Sequence, residues 1–324
     1  MKNFEDLFKE IEETQDIKEL WEKAKDEQKM MNKIRKRIAI ITIVLGLIIM
    51  IVKISLNSYE EFDIFLILPF LFIILFYIFF TNLMVFVITG ALSKKQNKYK
   101  LEFKQLIIKK LISNFYDNLE YYPLKEMPYR IYKKPNYNEY YNEYHSEDYF
   151  EGQIKNKYYI DMAEVFTEHV ETETDSEGNT HTTRTTIFHG LFAKVTSEKS
   201  ITSELKIVQD KVGRHDRNRL NMDSSEFEKC FDVITDNKII AMQLLTADVM
   251  EEMIEFENKT NIKYDIVIKE DEIYLRFHCG SMFEPQALKK GIINKEQLER
   301  YFYMLNFTYN LSNRLIELIN ETEI

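Results

Sequence analysis

Six histidines and two cysteines give this 324-residue chain its widest chemical repertoire, and their spacing decides what they can do. His169, His181 and His189 fall in one stretch, with Glu168, Glu171, Glu173 and Asp175 around them. Imidazoles and carboxylates together can hold a metal ion. No H-x-x-x-H pair or C-x-x-C accompanies them, and along an extended strand the carboxylates alternate between two faces. The stretch therefore reads as the solvated tip of a hairpin, and no metal ligand is assigned. His278-Cys279-Gly280 ends another predicted strand. A thiolate nucleophile needs a base or a positive field beside it. Neighbours on a strand point to opposite faces, so His278 is not placed to activate Cys279. The glycines are scattered, without a phosphate-cradling loop. These patterns give no catalytic residue, no metal and no cofactor.

The elements that carry these residues alternate between strand and helix. Residues 158–174 and 180–195 read as a long hairpin around a two-residue Gly178-Asn179 turn, since both residues tolerate positive φ. That register pairs Val170 with Ile187, Phe166 with Leu191 and Glu173 with Arg184. Strands follow at 201–209 and 230–234, then a helix from Ala247 capped by Thr246, and a second hairpin, YDIVIK–EDE–IYLRFH. A final amphipathic helix covers 294–321, with Leu298, Tyr301, Phe302, Leu305, Tyr309 and Leu315 on its apolar stripe. Earlier in the chain, Leu101, Phe103, Leu106, Ile107, Leu111, Ile112, Phe115 and Leu119 recur with helical spacing, giving a basic helix over 93–122. Residues 136–148 lack apolar periodicity and read as a loop. Antiparallel hairpins packed with helices make the fold class α+β.

Two apolar runs, Ile38–Val52 and Ile64–Leu92, are separated by eleven residues, KISLNSYEEFD. A bilayer core needs about 20 mostly apolar residues in helical form. Lys53 can snorkel to the head groups and extend the first run to Leu56. The pair is therefore expected to form a transmembrane helical hairpin over about 38–56 and 64–92. Lys33, Arg35, Lys36 and Arg37 precede the first run, and Lys94, Lys95, Lys98 and Lys100 follow the second. By the rule for cytoplasmic loops, both termini lie inside a two-pass inner or plasma membrane protein. Within the second run, Thr81 and Asn82 are candidates for helix–helix contact.

Outside the runs, residues 1–37 read as an amphipathic helical segment and 123–324 as an acidic cytosolic domain. Phe4, Leu7, Phe8 and Ile11 share a face. The phase breaks at Thr14-Gln15-Asp16 and resumes with Ile17, Leu20, Trp21 and Ala24, so one helix is expected to run from about residue 17 into the first span. The stripe can pack on the protein's own domain or on a partner helix. From Lys94 to Lys134 the net charge is about +7, and from Pro135 onward about −15. A basic segment beside an acidic domain suits an anionic leaflet and argues against nucleic acid. Twelve of the twenty tyrosines lie between Tyr116 and Tyr159. Balanced charge there argues against base stacking, and the bias reads as composition. Two cysteines in a chain of this size agree with a reducing compartment.

One stretch carries a resemblance. DYFEGQIKNKYYIDMAEVFTEHVETE, then TTIFHGLFAKV, EFEKCFDVITDNKIIAMQLLTADVMEEM, IYLRF and MFEP resemble the bacterial membrane family catalogued as domain of unknown function 3137. The marks are Glu151-Gly152, the Phe188–Phe192 FHGLF string, Phe231 with Asp236, Leu244-Leu245-Thr246 and Phe283-Glu284-Pro285. Asn237 departs from the pattern, which expects a Gln-like residue. The resemblance, from the paired runs to about residue 315, implies a two-span anchor with a cytosolic domain in bacteria. It implies no activity and no site residue.

The sequence thus leads to a membrane-anchored cytosolic binding or scaffold module, more in keeping with a non-enzyme. Its expected partners are the bilayer, another membrane or envelope protein, or a second copy of itself. The alternatives are a membrane-bound hydrolase with an unrecognised site and an accessory subunit of a transport complex.

Overall fold

The computed structural model describes residues 1–56, 79, 83, 97–175, 177–209, 218–285 and 293–321. Among the described residues nine strands form one antiparallel sheet in the order β1-β2-β3-β4-β9-β8-β5-β7-β6. They are β1 (Asp117–Tyr122), β2 (Glu143–Ile154), β3 (Tyr158–Thr174), β4 (Thr180–Thr196), β5 (Leu205–Gln209), β6 (Arg219–Leu220), β7 (Phe231–Ile234), β8 (Tyr264–Lys269) and β9 (Glu272–Phe277). The helices are α1 (Phe4–Glu13), α2 (Gln15–Leu56), α3 (Lys109–Ile112), α4 (Tyr129–Lys133), α5 (Lys238–Leu244), α6 (Ala247–Thr260) and α7 (Lys295–Glu321). A π turn, Lys104–Ile108, leads into α3. The expected α+β class holds.

The chain divides into two units. One comprises 1–11, 104–284 and 294–324; the other comprises 12–103 and 285–293. In the first, the sheet strands bury Val, Ile, Leu and Phe, and α6 and α7 supply the apolar counter-face, with Phe256 stacked on Phe307 at 3.8 Å between centroids. The α1 stripe packs within this unit: Phe4 meets Phe302 at 5.5 Å, and Leu7, Phe8 and Ile11 are buried. The tyrosines are core as well as composition. Tyr132 lies at the centre, against Tyr137, Tyr141, Tyr144, Phe188 and Phe192.

Several expectations need correction. The 93–122 helix stops at Ile112, and Asp117–Tyr122 is β1. Residues 143–148, read as loop, begin β2, whose polar outer residues hide the strand period. The long hairpin closes on Asp175 and Asn179, with Gly178 at φ +86°. A carboxylate of Asp175 accepts from the N–H groups of Glu177 and Asn179. Its register accordingly pairs Val170 with Arg184, Phe166 with His189 and Glu173 with His181, and a bulge at Ile187 shifts the rest. The 264–277 hairpin turns tightly on Glu270-Asp271, which pairs Lys269 with Glu272 and Asp265 with Arg276. Gly190 is obligatory where β4 meets the end of β9, because a Cβ there would lie 1.8 Å from the Phe277 carbonyl oxygen.

In the second unit, α2 is continuous from Gln15 through the first apolar run, as expected. Ile40, Ile41, Ile43, Val44 and Ile48 are exposed on it. Among the described residues no helix is long and apolar enough to cross a membrane. The second run, Thr81, Asn82, Lys94 and Lys95 lie outside the described residues, apart from residues 79 and 83.

Candidate functional site

Two constellations of charge are built on the sheet of the first unit. The first begins with a bulge in β2, between Glu147 and Phe150, where Asp148 adopts φ +56° and is fully buried. Bulges commonly re-aim a side chain, and here the carboxylate meets Lys104, the first residue of the π turn. Lys104 is 2% exposed. Its ammonium lies 2.6 Å from Asp148, 2.8 Å from Glu284 and 3.2 Å from Glu147. Tyr121 donates its hydroxyl to the other Asp148 oxygen. Glu164 of β3, 3% exposed, accepts from the N–H groups of Met282 (2.6 Å) and Phe283.

Carboxylates outnumber cations in this cluster, and burial penalises their charge. Burial, aided by the Asp148 charge, pushes the Glu164 carboxyl up to about 8, against the two backbone donors and Lys104. Asp148 is pushed up to about 6 by burial, although Lys104 and Tyr121 pull the other way. Burial opposes the Lys104 charge, but Asp148, Glu284 and Glu147 hold its ammonium above the usual range. Oxygens of Glu147, Asp148 and Glu164 lie within 4.8 Å of one another, close enough to share a cation. The cation placed among these side chains is Lys104.

A cleft of about 450 Å³ opens beside this cluster, lined by His145, Ser146, Glu147, Glu164, Val165, Phe166, His189 and Ser281. Within it, His189 Nε2 lies 3.1 Å from Ser281 Oγ. A hydroxyl beside an imidazole has the elements of an activated nucleophile. The adjacent N–H groups of Met282 and Phe283 could serve as oxyanion donors, but the Glu164 carboxylate engages them.

The second constellation joins β8 and β9. Arg276, 4% exposed, makes a bidentate pair with Glu139 at 2.6 and 3.0 Å, and binds Asp265 at 2.7 and 3.1 Å. Its guanidinium lies 3.7 Å from the Tyr137 ring centroid and 5.1 Å from that of Phe188. His278 Nε2 approaches Asp265 at 3.2 Å, and the Gln209 N–H donates to the same carboxylate at 3.1 Å. Burial would raise Asp265, yet His278 and Arg276 hold it well below the usual carboxylate range. This group forms one wall of a cleft of about 950 Å³, whose rim carries Lys206, Glu204, Asn218 and Lys263.

The residues singled out from sequence distribute as follows. Lys33, Lys36 and Arg37 are exposed on α2, which also carries Arg35. Lys98 and Lys100 are exposed, and Lys98 reaches Glu102 at 3.7 Å. His169 and His181 lie on the hairpin, beside Glu171 and Asp175. His189, grouped with them as hairpin tip, instead lines the smaller cleft; its separation of 92 positions from Ser281 hides the pair in the sequence. Cys279 is pushed up to about 12 by burial, which keeps the thiol protonated. Sequence reasoning passed over Lys104, Asp148, Glu164, Asp265 and Arg276. For the last two a signal existed: each is a charged residue set among apolar ones away from the turn, where Lys269 and Glu272 stand.

The family model described as "Protein of unknown function (DUF3137)" matches residues 186–316. That stretch takes in FHGLF, Phe231, Asp236, Leu244-Leu245-Thr246 and Phe283-Glu284-Pro285, while Glu151-Gly152 lies before it. Asn237, the departure from the family pattern, caps α5 by accepting from the N–H groups of Ile239 and Ile240. Arg276, His278, Ser281 and Glu284 fall inside the match; Lys104, Asp148 and Glu164 fall outside. Among curated proteins none matches the sequence. Among solved structures, the crystal structure of the mycobacterial trehalose monomycolate transport factor A, TtfA, is similar at 9% identity and a TM-score of 0.30, over 64% of this chain and 92% of that one.

Proposed function

We propose that this chain is a membrane-anchored binding or scaffold module, with the sheet domain on the cytosolic side and another membrane or envelope protein as its partner. The observation that carries the reading is the aliphatic surface of α2. Ile40, Ile41, Ile43, Val44 and Ile48 are all exposed within nine residues. Each forgoes about 1.5–3 kcal/mol of burial in water, and a patch of this kind marks contact with lipid or protein. The cluster of Lys33, Lys36 and Arg37 immediately before it suits an anionic cytoplasmic leaflet. The paired charges of the sheet favour binding over nucleophilic chemistry: Arg276 is engaged by two carboxylates, and the Cys279 thiol stays protonated.

Single cysteines at Asn57 and Asn97, in a background without Cys230 and Cys279, test the anchor and its orientation. With an impermeant thiol reagent on intact cells, Asn57→Cys labels and Asn97→Cys does not. The reverse pattern overturns the topology.

A second reading, a membrane-bound hydrolase, is favoured by the 3.1 Å approach of His189 to Ser281. It predicts that a serine-directed fluorophosphonate labels the protein and that Ser281→Ala abolishes labelling. The binding reading predicts no label on either. An accessory role in transport would rest on Thr81 and Asn82, outside the described residues.

A further inference from the structure

We infer that the outer edge of β4, Thr180–Thr186, is an interface on which the same edge of a second copy of this chain pairs as an antiparallel strand. The β3–β4 hairpin runs on beyond the sheet: β2 accompanies β3 only to Glu168, and β9 accompanies β4 only over Leu191–Thr196. The Gly280 N–H bonds the His189 carbonyl at 3.1 Å. From Thr180 to Thr186, β4 has no strand beside it other than β3 among the described residues. Residues 171–175 and 177–186 are exposed. A two-stranded ribbon with both faces in water is marginal, and a third strand stabilises it.

The two edges of this ribbon differ in how they meet solvent. On β3, the Asn142 side chain closes the backbone at Val170 with two hydrogen bonds of 2.8 Å, one in each direction. Beyond it, Glu171, Glu173 and Asp175 set carboxylates along the strand, a common guard against edge pairing. On β4 the sequence is T-H-T-T-R-T-T, with five threonines, one arginine and neither proline nor lysine. Arg184 is engaged within its own chain by Glu143 of β2 at 2.9 Å and Glu168 of β3 at 3.0 Å. A strand of high β-propensity without edge protection is a template for pairing.

The pattern of this edge suits a copy of itself. Antiparallel pairing about a two-fold axis at Thr183 sets Thr182 against Arg184, His181 against Thr185 and Thr180 against Thr186. No like charges stand opposite, and Thr–Thr pairs are favourable across strands. Such an isologous contact closes at a dimer. An acidic partner strand would find the one arginine already engaged, and a basic one would be drawn to the carboxylates on β3.

The test uses the full chain in its native membrane. In the paired arrangement the two Thr183 Cα atoms lie about 4.5–5.5 Å apart, within reach of a disulfide. Mild oxidation of Thr183→Cys therefore gives a crosslinked dimer of this chain. Glu173→Cys, opposite His181 on β3, does not. In mild detergent the wild type sizes as a dimer, whereas Thr182→Pro, at a position whose N–H faces the open edge, and separately Thr183→Lys lower dimerisation about tenfold or more, with unchanged melting of the sheet domain. A wild-type monomer at every concentration overturns the inference. So does equal crosslinking at positions 173 and 183, or a Thr183→Cys adduct to a different protein.

Discussion

Lys104 and Arg276 are both almost fully buried, yet the buried carboxyls beside them are shifted in opposite senses. Around Lys104 gather Glu147, Asp148 and Glu284, with Glu164 close to Asp148, so carboxylates exceed cations and two of them are pushed toward the neutral form. Around Asp265 gather Arg276 and His278, and its carboxyl is held in the charged form. Depth is similar in the two places; the count and geometry of partners decides the sign of the shift. The first cluster can release its strain by taking up a proton, while the second has no comparable outlet. That difference should show in how each responds to losing its cation and to pH.

The largest effect is expected from Arg276→Met. It leaves Asp265 without its main partner and removes the guanidinium stacked on Tyr137, at a cost of about 3–5 kcal/mol. Urea unfolding at pH 5 and pH 8 checks this, with substantial loss expected at both. A loss below about 1 kcal/mol would mean that the pair is replaceable. Lys104→Met is expected to cost less, about 2–3 kcal/mol at pH 8. At pH 5 the cost falls, because Asp148 can take a proton and remain buried as a neutral acid. Equal costs for Lys104→Met at the two pH values would erase the contrast between the clusters.

A gentler change isolates the proton. The folded-state pKa of Glu164, about 8, lies above its unfolded value near 4.5. The folded protein then binds more protons across that window. Its contribution is fully present below the unfolded pKa and is lost as pH rises through about 8. Glu164→Gln keeps an oxygen for the Met282 and Phe283 N–H groups and removes the titration. The decline in stability between pH 5 and 8 should flatten by up to about 1.4 kcal/mol per pH unit where it is steepest. An unchanged slope in parallel urea midpoints would place the proton elsewhere in the cluster.

These two clusters also differ in how far the sequence discloses them. Asp265 and Arg276 lie in a short hairpin whose strands are legible from YDIVIK and IYLRFH, and a tight turn sets them opposite each other. The period-2 pattern and local turn chemistry carry that information. Lys104, Asp148 and Glu164 come from a π turn, a bulged strand and a central strand; the first two depart from the regular period, and Glu164 lies in a regular stretch of β3 buried on both faces. Neither a π turn nor a bulge has a reliable local signature, so Lys104 reads as one more basic residue after an apolar run. The long hairpin was legible as an element. Its register was not, because Asp175 closes a longer turn than Gly178-Asn179 suggests and Ile187 is extra. The α7 stripe, built on regular helical spacing, holds, and α6 starts at Ala247 as expected, although the Thr246 side chain makes no capping bond.

The smallest expected effect concerns Glu147, the rim of the first cluster. Its carboxylate lies 3.2 Å from Lys104, but its side chain is 45% exposed. Water screens that attraction, and exposed pairs of this kind contribute about 0–1 kcal/mol. Glu147 also acts against its neighbour, since its charge helps push Asp148 up. Glu147→Gln therefore trades a screened attraction to Lys104 for relief of repulsion on Asp148, and stability should change by no more than about half a kcal/mol. A loss above about 2 kcal/mol in urea unfolding at pH 7 would show that Lys104 depends on the rim carboxylate as much as on buried Asp148. The contrast with Arg276 would then rest on the number of carboxylates rather than on where they stand relative to water.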